Sequence, residues 1–167
     1  MNRSGFSLVE LLVIIGITSI LLGIATLNFT HWVTRCNIEK EVKELYAELM
    51  SARQQSFVTG MNHRVEFESA NSIVFRRYSS EWDLEHGCGV VLRQRKLPYS
   101  ITISDPNNKK IEFNSRGMMN EVIPKSVCIY SRFAPPLDSI FITQTRINVG
   151  KIKNQENSCE KANISIN

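Results

Sequence analysis

Two patterns of apolar positions divide this chain. From residue 11 to 27 the sequence is almost continuously apolar, with neither a charge nor a proline to interrupt it. Such a run predicts one continuous helix, with Gly16 and Gly23 as its weak points. From 6 to 29 it would span on the order of 35 Å, enough to cross a hydrocarbon core. Beyond it the period becomes that of an amphipathic helix. Ile38, Val42, Leu45, Leu49, Ala52 and Ser56 line one face, while Glu39, Lys40, Lys43, Glu44 and Glu48 fill the other. Glu39 and Lys43 are an opposite-sign pair one turn apart, and Glu44 and Glu48 a like-sign one, so local pairing is a minor term. The stripe therefore needs a partner, most simply a sheet laid against it. His31 and Trp32, between the two halves, put an aromatic ring where a membrane interface would lie. Gly60 follows Thr59 as the expected left-handed stop.

After Gly60 the period changes to alternation. Arg64-Val65-Glu66-Phe67-Glu68 and Ile73-Val74-Phe75-Arg76-Arg77-Tyr78 flank the short turn Ser69-Ala70-Asn71 and predict a hairpin. Residues 79–89 read as an irregular loop. Further strands are predicted at Val90-Val91-Leu92-Arg93, Ile101-Thr102-Ile103, Ile111-Glu112-Phe113, Val127-Cys128-Ile129-Tyr130, Ile140-Phe141-Ile142-Thr143 and Ile147-Asn148-Val149. Asp105-Pro106-Asn107-Asn108 is a turn, since Pro presets the first corner and Asn tolerates the second. Pro135-Pro136 breaks the chain. The tail, 154–167, is polar and expected to be loose unless Cys159 ties it down. No internal repeat interrupts this order. The fold class is α+β, a long helix followed by short antiparallel strands.

One acid changes the picture. Glu10 stands at the mouth of the apolar run, and a carboxylate there costs roughly 2.5–3.5 kcal/mol at a bilayer centre and less near the interface. The nearest cation is Arg3, outside the helix. If the chain were cut after Gly5, the new amine of Phe6 would sit one turn from Glu10. That amine could meet its own Glu10 or the Glu10 of a neighbouring subunit; the second arrangement makes a costly acid into a register device between packed helices. An ordinary signal peptide, with Gly23-Ile24-Ala25 as its cleavage site, and a plain single-span anchor both leave Glu10 without a reason.

The stretch Gly5-Phe6-Ser7-Leu8-Val9-Glu10 resembles the processing and methylation site of type IV pilins and type II secretion pseudopilins. The resemblance implies cleavage between Gly5 and Phe6 by a prepilin peptidase, N-methylation of Phe6, and Glu10 as the assembly glutamate. It divides the chain into a leader (1–5), a membrane and assembly helix (6–29), its amphipathic continuation (30–60), a β-rich head (61–153) and the polar tail. Three local features are similar to the GspH/FimT type of minor pilin. Ala52-Arg53-Gln54-Gln55-Ser56 resembles the family's A-R-x-x-A segment, with Ser56 in place of the common Ala. Phe113-Asn114-Ser115-Arg116-Gly117 resembles its F-[DN]-x-x-G turn. Val149-Gly150-Lys151-Ile152-Lys153 resembles its closing G-[RK]-x-[RK], although the tail beyond is longer than the family's. Implied partners are the peptidase, other pilins or pseudopilins through their N-terminal helices, and the bacterial inner membrane, with the head on the periplasmic side.

Composition adds limits. The 167 residues carry a net charge of +4, mildly basic, which permits contact with polyanions without demanding it. The leader's Arg3 orients the helix with the remainder exported. Export permits disulfides among Cys36, Cys88, Cys128 and Cys159; Cys36, far from the others, is expected to stay free, and Cys88, Cys128 and Cys159 are the candidates, their pairing open. Neither the cysteines nor the scattered His31, His63 and His86 have zinc-ligand spacing. Glu81, Asp83 and Glu85 lack the glycine and closing glutamate of a calcium loop. No nucleophile motif or phosphate loop is present, so no enzyme, cofactor or metal is expected. Lys151 and Lys153 alternate along a strand and share a face, with Arg146 nearby in sequence. In some FimT-like proteins the corresponding end binds DNA during uptake, which here would be weak, salt-sensitive and sequence-blind. The alternative is that these lysines protect an exposed edge strand. Arg93, Arg95 and Lys96 form a second basic stretch with the same ambiguity.

Overall fold

One helix, α1 (Leu8–Thr59), occupies 52 residues, about 78 Å at the usual rise. The computed structural model describes residues 7–155 and 158–166, and within α1 the side chains of 24–28 are outside the description. The helix opens after Ser7, whose carbonyl accepts the Leu11 N–H at 3.2 Å. It closes at Gly60, which adopts φ +65°, a left-handed conformation that costs any residue with a β-carbon.

The chain then runs through β1 (Asn62–Ser69), β2 (Ser72–Tyr78), a short helix α2 (Glu81–His86), β3 (Val90–Lys96), β4 (Thr102–Ile103), β5 (Lys110–Phe113), β6 (Lys125–Cys128), β7 (Ser139–Ile142), β8 (Ile147–Ile152), a 3-10 turn (Lys161–Asn163) and β9 (Ile164–Ile166). Two antiparallel sheets result, one ordered β3-β2-β1-β5 and the other β4-β6-β7-β8-β9. The expected hairpin is β1 with β2, in register from Asn62 opposite Tyr78 to Ser69 opposite Ser72.

The apolar stripe of α1 seats between these sheets. Ile38, Val42, Leu45, Leu49 and Ala52 form one core with Val65, Phe67 and Ile111 from the first sheet and Val127, Ile140 and Ile142 from the second. Ser56 completes the stripe and is fully buried; its hydroxyl donates to the Arg53 carbonyl at 2.7 Å, so the polar atom is satisfied.

Two segments differ from the sequence reading. Residues 81–86, expected as irregular loop, are helical because both ends are capped. The Ser80 hydroxyl accepts the Asp83 N–H at 3.1 Å, Gly87 takes φ +71° at the other end, and Leu84 buries the inner face. The tail is also folded where it is described. Cys128 and Cys159 are joined by a disulfide across 31 positions of sequence, and β9 pairs with β8. Asn163 locks the return: its amide donates to the carbonyls of Asn154 and Ser158 at 2.8 and 3.2 Å, and its oxygen accepts the Asn154 N–H at 3.0 Å. A satellite core of Cys128, Ile152, Cys159 and Ile164 forms underneath. Thus β8 is an interior strand, and the reading of its lysines as guards of an exposed edge does not hold.

Two outcomes follow from this packing. Leu49→Ala lowers the unfolding free energy by about 2–5 kcal/mol, whereas Val58→Ala, on the opposite and exposed face, changes it by about 0.5 kcal/mol or less; urea denaturation followed by circular dichroism measures both. At Gly150 a β-carbon would stand 2.6 Å from Ile164 Cγ2 and 2.7 Å from the Ser165 carbonyl oxygen. Gly150→Ala therefore lifts β9 away, seen as faster amide hydrogen exchange across 164–166.

Candidate assembly surface

Among its described residues, the first half of α1 is uncovered. Every large aliphatic side chain between residues 8 and 22 is between 46% and 78% exposed. A helix that is apolar all round belongs inside something. Among the described residues no helix is long and apolar enough to cross a membrane. The described side chains of the run cover only 8–23, short of the roughly 20 residues a span needs, while the apolar sequence itself continues through Leu27. Glu10 lies in the first turn, where the helix dipole favours an acid, and it is exposed. No ion pair among the described residues reaches it. Gly5 and Phe6, the expected processing and methylation positions, lie outside the described residues.

The second half of α1 is strapped to β3. Arg95 reaches across to three helix carboxylates, Glu41 at 2.6 Å, Glu44 at 2.8 Å and Glu48 at 3.0 Å, and Arg93 pairs with Glu48 as well. The like-sign Glu44 and Glu48 are thus neutralised from another element, which local sequence does not reveal. Burial pushes Glu41 above its ordinary value, Arg95 opposing. A second network was equally hidden. Arg64, nearly buried, pairs through Nε with Glu112 at 2.8 Å and donates from its Nη atoms to the Tyr78 hydroxyl at 3.1 Å and the Leu84 carbonyl at 2.8 Å. This network ties α2 to the first sheet.

Two of the segments singled out in the sequence meet in space. Arg53 Nε donates to the Gly117 carbonyl at 2.8 Å, so the Ala52–Ser56 turn of α1 holds the Phe113–Gly117 turn. Gly117 takes φ +70°, and a β-carbon there would lie 3.2 Å from the Arg53 carbonyl oxygen and 3.3 Å from Phe57 Cβ. Glycine is needed both for the backbone and for the close approach. Asn114 folds the turn by accepting the Arg116 and Met118 N–H groups at 3.0 and 3.1 Å.

Residues 1–26 match the prokaryotic N-terminal methylation motif. In structure the chain is similar to the type IV minor pilin FimU of Pseudomonas aeruginosa. One crystal form aligns with TM-score 0.55 and 12% identity over 77% of this chain and 99% of FimU. A second aligns with TM-score 0.51 and 13% identity over 73% and 99%. The fold is pilin-like. A looser likeness, TM-score 0.46 and 9% identity over 78% and 94%, is to the minor pseudopilin EpsH from the Type 2 Secretion System of Vibrio cholerae. No curated protein matches by sequence.

In this pilin-like chain the candidate basic residues are not gathered. Arg146 precedes the first residue of β8 and Lys153 follows its last, so they stand roughly 20 Å apart at the strand rise. Lys151 is exposed, and Lys153 Nζ donates to the Ala162 carbonyl at 3.1 Å. Arg93 and Arg95 are taken up by the helix carboxylates. Cys88, counted among the disulfide candidates, is an exposed free thiol, as is Cys36. No group of histidines, cysteines and acids among the described residues is arranged to hold a metal. Asp138, missed in the sequence, is completely buried; it accepts the Ile152 N–H at 2.6 Å and the Gln155 amide at 2.8 Å.

Glu112 and Asp138 carry opposite pH signatures. Burial pushes Glu112 up, but the hydrogen bond from Lys110 and the charges of Arg64 and Lys110 bring it below its ordinary 4.5. Its stabilisation is present above that value and is lost as pH falls through the lowered one. Burial raises Asp138 above its ordinary 3.8, the bonds from Ile152 and Gln155 opposing. Its share is full below that value and is lost as pH rises through the raised one. Glu112→Gln should flatten the acid limb of stability against pH, and Asp138→Asn the opposite slope at mildly acidic pH. Thermal midpoints collected from neutral to acid measure both.

Proposed function

We propose that this chain is a minor pilin or pseudopilin of the GspH/FimT type, a non-enzymatic subunit of a type IV pilus or a type II secretion pseudopilus, seated at or near the filament tip. It is made with a leader ending at Gly5, held in the bacterial inner membrane by the helix from residue 6, and carries its head on the periplasmic side. A prepilin peptidase frees Phe6, which is then N-methylated. On assembly, Glu10 meets the terminal amine of a neighbouring subunit while the apolar half of α1 packs among other pilin helices.

The observation that carries this reading is the contrast along α1. The stripe of its second half is covered by the two sheets, while its first half exposes apolar side chains all round and bears one acid that no ion pair among the described residues reaches. Such a half-helix is a handle with no use inside its own chain. DNA capture is the rival reading. It draws on Lys151 and Lys153 without Arg146, and one of those lysines already serves a backbone carbonyl.

Mass spectrometry of the protein from its native membrane should give a mature chain starting at Phe6 and carrying an N-methyl group. Glu10→Ala should leave the membrane-held pool intact and remove the subunit from sheared filaments. A chain starting at residue 1 or beyond residue 20, or normal incorporation of the alanine variant, would overturn the proposal. Lys151→Ala/Lys153→Ala should leave incorporation unchanged, and a loss of DNA retention by that variant would favour the rival.

A further inference from the structure

The head comes down to meet α1 where its apolar half ends. Phe133, in the connection from β6 to β7, sets its ring 5.1 Å from that of His31. The Arg132 guanidinium lies over the same ring, 4.8 Å from its centroid. On the helix beside them, the rings of Phe29 and Trp32 are 6.2 Å apart. Both are more than half exposed, and Arg35 in the next turn is exposed too. Packing of the helix begins just above, with Ile38 the first buried position. Segments a hundred residues apart thus put aromatic rings and cations at one level.

The connection is braced at its root. The Ser131 N–H donates to the Gln155 side-chain oxygen at 3.0 Å, and the Gln155 amide donates to the buried Asp138 at 2.8 Å. At Ala134 the backbone takes φ +42°, a left-handed turn unusual for a residue with a β-carbon, ahead of the buried Pro135. Phe133 is held low against the helix by this frame.

The level itself is informative. From Glu10 to His31 the helix rises about 32 Å, close to the roughly 30 Å of a hydrocarbon core. With Glu10 at one boundary, Phe133 stands at the other. The charge is one-signed: residues 29–37 and 130–137 contain Arg35 and Arg132 and no acid. Rings beside guanidinium groups that make no ion pair among the described residues suit the headgroup layer, where aromatic rings settle and arginine pairs with phosphate.

We propose that the 131–137 connection is a membrane foot. In the bilayer-held subunit Phe133 enters the headgroup layer beside Phe29 and Trp32, and Arg132 and Arg35 pair with lipid phosphates. The inference rests on the membrane anchoring proposed above. The foot sets the height and tilt of the head, and it must let go when the subunit is drawn into a filament.

Full-length protein in phosphatidylglycerol and phosphatidylethanolamine vesicles tests it. In a Trp32→Phe/Trp82→Phe background, Phe133→Trp and, separately, Ile17→Trp each place a single indole. With bromine near the top of the acyl chains, the indole from Phe133→Trp should lose emission. With bromine deep in the chains, the indole from Ile17→Trp should lose it instead. Adding Arg132→Glu should reduce quenching at position 133 and leave position 17 unchanged. Quenching at 17 with none at 133 overturns the foot and leaves the anchor standing. An indole at 133 shifted to the blue but indifferent to bromine means a protein contact and overturns the foot as well. No quenching at either position removes the anchor and the foot together.

Discussion

The structure depends on one helix serving two surroundings. Between Ile38 and Ser56 every third or fourth side chain of α1 is removed from water by two sheets at once. Fully burying such a side chain contributes about 1.5–3 kcal/mol, so this half-helix is the axis on which the head condenses. Both sheets face the same stripe and share its core, and the buried Lys125 of β6 joins them again by donating to the Asn108 and Lys110 carbonyls at 2.9 and 2.6 Å. Among the described residues no side chain of α1 before Ile38 is buried, and there the ring of Phe133 meets His31. The helix runs through the change without a break, since no proline interrupts it, and so one continuous helix links the packed head to its apolar half.

Charge sets how the first sheet lies on that rod. Arg95 holds three carboxylates from successive turns of α1, which fixes β3 in both height and rotation. The exposed part of such a pairing adds little stability. The carboxylate of Glu41 is buried at a cost, visible in its raised pKa. The network is better understood as a device of geometry: only one register of β3 satisfies all three acids, and a slipped strand would strand them. Arg64 acts similarly on the other side of the first sheet, where one guanidinium reaches β5, β2 and α2.

What could be read in the sequence is what repeats locally. The stripe of α1, its stop at Gly60, the β1–β2 hairpin and most strands announce themselves through period and turn chemistry, and the pilin-like architecture follows from them. The methylation motif is legible because six consecutive residues carry it. Long-range partners were not legible. Nothing local joins Arg95 to Glu41, or Arg64 to Glu112, and four cysteines cannot announce their pairing. The tail misled for a similar reason. Ile164 and Ile166 are only two alternating apolar positions in a polar context, too few to signal a strand, yet Gly150 leaves room on β8 for them. The caps of α2, Ser80 and Gly87, are visible in the sequence, but its six residues bury only Leu84, too short a stretch for an apolar period to mark a helix.

The tail also bears on where the head lives. Closing it with the Cys128–Cys159 bond removes freedom from a 31-residue stretch of the unfolded chain, worth about 3–4 kcal/mol in a chain-entropy account. The folded elements within that stretch, β7 and β8, are short, and Gly150 weakens the middle of β8 to admit β9. A bond of this kind persists in an oxidising compartment and is rare where glutathione and thioredoxin keep thiols reduced. In the proposed topology the basic leader stays on the cytoplasmic side, and the head that carries this bond lies on the far side. An electrostatic preference at one end and a redox preference at the other thus agree with the anchored arrangement proposed above, in which the apolar stretch lies between the two compartments.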